Sequence, residues 1–78
     1  MIIEITADII QKSKKDKECP IYRAIRNTIH RPVIIGNNRG FYFTSSGNKK
    51  IFDLPEEVKT FISKWDDNKK VEPITFKI

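Results

Sequence analysis

Alternation between hydrophobic and polar residues predicts a strand at each end of the chain. Ile3 and Ile5 alternate with polar neighbours in "MIIEIT", and the same period of two recurs in the terminal "VEPITFKI". A period of two is typical of a strand with one buried face. Because both ends carry this pattern, we predict that residues 2–6 pair with residues 74–78.

The middle of the chain has the pattern of a meander. In "VIIGNNRGFYFTSSGNKKIFDL", β-branched and aromatic runs are separated by the turn-forming segments "GNNRG" and "SSGN". This spacing predicts a three-stranded antiparallel meander, with strands near 33–35, 41–45 and 49–53.

Three further segments favour helices. Thr6 is a good N-cap for a short helix over "ADIIQKS", and Pro20 and Pro55 each suit the first position of a longer helix. The longer helices carry buried stripes at helical spacing, formed by Ile21, Ala24, Ile25 and Ile29 in the first and by Val58, Phe61, Ile62 and Trp65 in the second. The run "KSKKDKE", residues 12–18, has no apolar residue and predicts a solvated, mobile loop.

The order of these elements predicts an α+β fold in a single domain that covers residues 1–78. We expect a small antiparallel sheet, built from the N-terminal strand, the three-stranded meander and the C-terminal strand, with two main helices packed on one face. A chain of 78 residues buries only a thin core, and its single Cys19 excludes an internal disulfide. Self-association into a homo-oligomer is the expected supplement.

The sequence offers no catalytic centre, metal site or cofactor motif. One cysteine and one histidine are too few for a structural zinc site. Cys19 and His30 lie on one predicted helix, about 15 Å apart, which is too far for a nucleophile and its base. We therefore expect no enzyme, no metal and no cofactor.

The N-terminal residues argue against export or membrane insertion. No basic segment precedes the apolar residues, and Glu4 and Asp8 interrupt them. The expectation is a soluble protein of the cytoplasm with no membrane partner.

The positive charge is concentrated in the middle of the chain. The net charge is +5, but residues 12–50 alone hold ten basic groups against two acidic ones, and neither flanking segment is positive. A basic patch raises the local concentration of anionic partners. A basic surface that only maintains solubility is the alternative.

Candidate binding residues lie on the outward face of the first long helix and on the meander. Arginine is well shaped for bidentate contacts with phosphate or carboxylate, and tyrosine can stack on a base. The six candidate ligand-binding residues are Tyr22, Arg23, Arg26, His30, Arg39 and Tyr42. We place Arg39 at the tip of the "GNNRG" turn and expect Tyr42 to be exposed beside Lys49 and Lys50, with cross-strand packing as the alternative. The arginines have an alternative too, which is pairing within the fold with Asp16, Glu18, Asp66 or Asp67.

Cys19 has two interpretations. A thiol at a helix N-terminus near Arg23 has features that lower its pKa and favour a reactive thiolate. The alternative is a half-buried cap whose side chain packs beneath the segment 12–18.

Four short segments in order, "ITADI", "CPIYRAIR", "LPEEVKTFISKWD" and "VEPITFKI", carry a resemblance to a known group of proteins. Together they resemble a family of small, mostly uncharacterised phage and prophage proteins with the pattern C-P-I-x-x-A-I-R, L-P-x-E-V-x-x-F-I-x-x-[FW]-D and V-x-P-x-x-F. The likeness covers most of the chain except the meander. Tyr22 replaces a small residue of that pattern, and Asn68 stands where a glycine often ends the helix. The resemblance implies a phage accessory protein and brings no catalytic residue with it.

Three functions follow as hypotheses. The first is a non-enzymatic phage accessory protein that, as a homo-oligomer, sequesters an anionic molecule, most concretely a nucleotide-type host defence signal. The second is an inhibitor that binds a host protein directly. The third is a nucleic-acid-binding protein.

Overall fold

The computed structural model describes all 78 residues and confirms the α+β class. The elements in chain order are β1 Ile2–Ile5, α1 Ala7–Asp16, α2 Pro20–Ile29, β2 Ile34–Ile35, β3 Arg39–Phe43, β4 Lys49–Asp53, α3 Glu56–Asp66 and β5 Ile74–Lys77. The strands at the two ends, the meander and the two long helices all form where the hydrophobic pattern predicts them.

The five strands form two antiparallel sheets instead of one. β1 pairs with β5, with Ile2 opposite Lys77 and Ile5 opposite Ile74, which confirms the pairing predicted for the two ends of the chain. The meander β2–β3–β4 forms the second sheet. Side-chain packing joins the two sheets, because residues of both, such as Ile3 and Phe52, belong to one buried cluster.

Helix α1 is longer than the sequence pattern predicts. The Thr6 hydroxyl accepts a hydrogen bond from the Ile9 N–H at 3.2 Å and so caps the helix as expected. The helix then continues to Asp16, and Lys17 ends it in a left-handed conformation with φ 56°. The predicted loop over 12–18 is therefore wrong for 12–16. Lysine and glutamine are good helix formers without being apolar, so an apolar period does not detect this last part of the helix.

Helix α2 carries the predicted buried stripe. Ile21, Ala24 and Ile25 are buried, and Ile29 packs half-buried against the same core. Pro20 occupies the first turn, where its missing N–H is no loss. The stripe faces β1, and α1 packs beside α2.

The meander turns the opposite face to the core from the one expected. The Phe52 ring packs directly on Gly40, since a Cβ at Gly40 would lie 2.5 Å from Phe52 Cζ. Tyr42 shares this inner face and is half-buried, with its ring centroid 6.4 Å from that of Phe52. The expectation of an exposed Tyr42 is therefore wrong, and cross-strand packing is what the structure has. Phe43 is the exposed aromatic residue of β3, at 53%.

Candidate anion-binding cleft

Two acidic residues, Asp16 at the end of α1 and Glu18 in the turn that follows, bind the arginines of α2. Arg23 donates a hydrogen bond to the Asp16 carboxylate, and its Nε lies 3.5 Å from Glu18 Oε1. Arg26 Nη2 donates to the same Glu18 oxygen at 3.0 Å. Only 15% of the Arg23 side chain is exposed. The structure thus shows the second interpretation, in which these guanidiniums pair with acids of the same fold.

Tyr22 is also occupied within the fold. Its side chain packs half-buried against the core, and the Arg26 guanidinium lies over its ring, 5.0 Å from the centroid. Interaction with the Tyr22 side chain, together with the Glu18 charge, raises the pKa of Arg26, so its positive charge is permanent. These contacts make the Tyr22–Arg23–Arg26 group a structural joint between α1 and α2.

The other three candidate residues lie apart from this joint. His30 is exposed at the C-cap of α2, in a left-handed conformation with φ 61°. Arg39 begins β3, past the tip of the turn, and its Nε donates to Asp53 Oδ1 at 2.9 Å. Arg39 and Tyr42 face opposite sides of the meander, as three-residue separation in a strand requires. The six candidates therefore do not converge on one pocket.

Cys19 has the environment of a protonated thiol. Burial raises its pKa, although the N–H groups of Tyr22 and Ile21 act in the opposite direction, and the charges of Asp66 and Glu18 raise it further. The sulfur makes no capping hydrogen bond of ordinary geometry. The half-buried cap is the interpretation that fits this geometry.

A cleft between the C-terminal ends of α1 and α3 offers a different site for an anion. It has a volume of about 620 Å³. The residues that line it are Lys14, Lys17, Trp65, Asp66, Asn68, Lys69 and Lys70. None of the six candidate residues from the sequence is among them.

Two helix ends bring these lysines together. Lys14 lies in the last turn of α1, and Lys17 follows at its left-handed C-cap. On the other side, Asn68 adopts φ 59° just after α3, and the Lys69 N–H donates to Lys64 O at 2.8 Å. This second turn directs the chain so that Lys69 and Lys70 line the cleft opposite α1.

Basic residues predominate in the lining of the cleft. Four of its residues are lysines and one, Asp66, is acidic. One of these lysines has an acidic partner outside the lining: the Glu72 carboxylate lies 3.6 Å from Lys70 Nζ in a largely exposed pair. Exposed ion pairs of this kind hold a lysine only weakly, so Lys70 remains available to a ligand.

Trp65 forms the apolar part of this cleft. Sequence spacing predicts a core residue, and the indole does pack against the core, but it is half-buried and also lines the cleft. A half-buried aromatic ring beside positive charges can contact both the planar and the charged parts of one ligand.

Sequence reasoning missed the lysines because the two pairs come from distant segments. Lys14 and Lys17 fall in the run interpreted as a loop, and Lys69 and Lys70 follow α3 more than fifty residues later. The only local signal is that lysines occur near the end of each of these helices, in the run 12–17 and at 69–70.

No three His, Cys, Asp or Glu side chains lie close enough together to hold a metal ion, and no helix has the length and apolar character needed to cross a bilayer. Comparisons with protein-family models, with curated proteins and with solved structures found no match to this chain. The resemblance to small phage proteins therefore stays a prediction from the four sequence segments.

Proposed function

We propose that this protein binds an anionic small molecule, most concretely a nucleotide-type ligand, in the lysine-lined cleft, and that it acts by sequestering that ligand without chemical change. The single observation that carries the proposal is the convergence of four lysines, from the ends of α1 and α3, on one cavity with a single acid. In a phage context, as the sequence resemblance implies, the ligand is a host defence signal.

The dimensions and chemistry of the cleft favour a nucleotide over a simple ion. About 620 Å³ lies within the usual range of small-molecule sites, about 300–1,000 Å³, and far exceeds the volume of one phosphate. Lysines act as point charges for phosphate oxygens, while Trp65 supplies a ring for a base. The α2 arginines, already paired with Asp16 and Glu18, are less available for this role.

The test is a titration with a panel of mononucleotides, cyclic dinucleotides, ADP-ribose-type compounds and inorganic phosphate. Trp65 is the only tryptophan of the chain, so its fluorescence reports directly on the cleft. We expect at least one nucleotide to change this fluorescence and to raise the melting temperature, since a ligand that binds only the folded state stabilises it.

Substitutions decide whether the cleft is responsible. We expect the double variant Lys17→Gln with Lys69→Gln to weaken binding by about tenfold or more, because each lysine lost removes a phosphate contact. The matched control, Lys50→Gln with Lys77→Gln, removes the same charge from exposed strand positions outside the cleft. Absence of any response across the panel, or equal loss in both double variants, would contradict the proposal.

Nucleic acid is a second candidate for the same cleft, because a row of lysines also attracts a phosphate backbone. It predicts an affinity that grows with oligonucleotide length and falls by roughly 0.7–0.9 log units per log unit of salt for each phosphate contacted. A nucleotide site predicts no gain beyond a short ligand.

A further inference from the structure

The outer face of the meander is an apolar surface that no helix covers. Ile34 of β2, Phe41 of β3 and Ile51 of β4 lie side by side across the three strands and form one row. Ile34 is 58% exposed and Ile51 61%. Phe43 extends the apolar surface along β3 and is 53% exposed. Exposed apolar residues grouped in this way mark an interaction surface, unlike single ones scattered over a protein.

The charged residues of this face lie at its two ends. At one end Arg39 lies opposite Asp53 and is bonded to it at 2.9 Å. At the other end Phe43 lies opposite Lys49. Lys49 has no acidic partner, and its Nζ lies 4.2 Å from the centroid of the Phe41 ring. The outer face therefore has a paired carboxylate at one end and an unpaired ammonium group at the other.

These positions are symmetric about the apolar row. Lys49 and Asp53 each lie two residues from Ile51 on β4, and Phe43 and Arg39 each lie two residues from Phe41 on β3. A two-fold rotation about an axis along the row places each strand over the same strand of the second copy. It also exchanges the two ends of the face. The surface is thus arranged to complement a copy of itself.

We propose that the outer face of the meander binds the same face of a second copy of this chain, in a dimer whose two-fold axis runs along the Ile34–Phe41–Ile51 row. Each apolar row then packs on its equivalent, at the spacing of about 10 Å that stacked sheets adopt. Lys49 of each copy lies over Asp53 of the other, and Phe43 lies over the Arg39 guanidinium of the other. As Lys49 moves to the second copy's carboxylate, it uncovers the Phe41 ring for packing.

Charge also sets the direction of this axis. A two-fold axis along the strands would place Arg39 over Arg39 of the second copy, with like charges facing each other. The axis along the row instead places the unpaired Lys49 of each copy over the Arg39–Asp53 pair of the other, so that contacts i to j and j to i are equivalent, as in any isologous interface. The interface uses none of the residues that line the lysine cleft, so it stands independently of the proposed ligand.

Sedimentation velocity over a micromolar concentration series tests the dimer. We expect a monomer–dimer equilibrium that Ile51→Lys shifts to the monomer, with an affinity at least about tenfold lower, because it places a charge in the centre of the interface. The matched control is Ile2→Lys, which makes the same change at an equally exposed strand position of β1, 62% exposed. It leaves the equilibrium unchanged, and circular dichroism of each variant establishes that it is folded.

A charge reversal tests the orientation of the two copies. Lys49→Glu faces Asp53 of the second copy and weakens the dimer, whereas Lys50→Glu, with the same charge change on the neighbouring residue, lies on the inner face and has little effect. A chain that is monomeric at all concentrations, a larger closed assembly, or a dimer insensitive to Ile51→Lys would overturn the proposal.

Discussion

Arg23 connects the first two helices through two acidic residues, Asp16 at the end of α1 and Glu18 in the short turn before α2. Its guanidinium contacts both Asp16 and Glu18, and 85% of its side chain is removed from solvent by the surrounding structure. Removing one member of such a partly buried ion-pair network destabilises the fold, because the remaining partner is left without its counter-charge. The contacts explain why an arginine in the most basic part of the chain has a structural role.

Replacing Arg23 therefore has a cost in stability. We expect Arg23→Ala to lower the free energy of unfolding by about 1–2 kcal/mol, a value reduced for the exposure of Asp16. Urea denaturation measures it. Lys12→Ala serves as control, because the Lys12–Asp8 pair is exposed on both sides and its loss changes stability by less than about 0.5 kcal/mol. Equal effects of the two substitutions would contradict the structural role.

Cys19 makes a prediction about pH and reactivity. Because burial raises its pKa, the thiol stays protonated at neutral pH in the folded protein. The unfolded thiol ionises at lower pH, so the free energy of unfolding falls as the pH rises above the ordinary cysteine range. We expect iodoacetamide to alkylate the native protein at pH 7 more slowly than the urea-unfolded protein. Faster alkylation of the native form would indicate the reactive thiolate instead.

At the scale of the element, Gly40 determines how the meander packs. The Phe52 ring lies where a side chain at Gly40 would be, so this face of the sheet can approach the core. Tyr42 and Phe52 then lie inward and the Phe41 and Phe43 side chains outward. The alternation of β3 predicts two faces but not which one is buried, since both carry aromatic residues; the glycine opposite Phe52 decides it.

A side chain at Gly40 disturbs this packing. We expect Gly40→Val to lower the free energy of unfolding by about 2–3 kcal/mol, because the Phe52 ring must move out of its place in the core. Thermal denaturation checks the loss. Gly36→Ala is the control, since its new Cβ meets its nearest neighbour, Arg39 O, at an ordinary 3.4 Å. Wild-type stability in Gly40→Val would show that Phe52 does not depend on this contact.

The elements also show which parts of the fold the sequence can predict. Hydrophobic stripes locate α2, α3 and the paired end strands because burial follows local spacing, and Thr6 and Pro20 mark helix starts through local backbone chemistry. The end of α1 is not detected, because its lysines favour a helix by propensity and carry no apolar period. The division into two sheets is not detected either, since strand patterns do not show which strands become neighbours.

On the scale of the whole molecule, charge becomes a site only where distant segments meet. The basic middle of the chain suggests an anion site on α2, but Asp16 and Glu18 are close enough in sequence to pair with those arginines, and they do. The lysines at the ends of α1 and α3 line one cleft, and the one ion pair among them, Lys70 with Glu72, is largely exposed and therefore weak. The candidate site is therefore a product of tertiary contacts between helix ends, which no local pattern contains.

Chemical-shift mapping by NMR, during a titration with the nucleotide that gives the largest melting shift, locates the bound ligand directly. If the ligand occupies the lysine cleft, we expect the largest changes at the Trp65 indole N–H and at the backbone amides of Lys14, Lys17, Asn68 and Lys69. Changes centred instead on Arg23 and Arg26, or on the outer face of the meander, would contradict it.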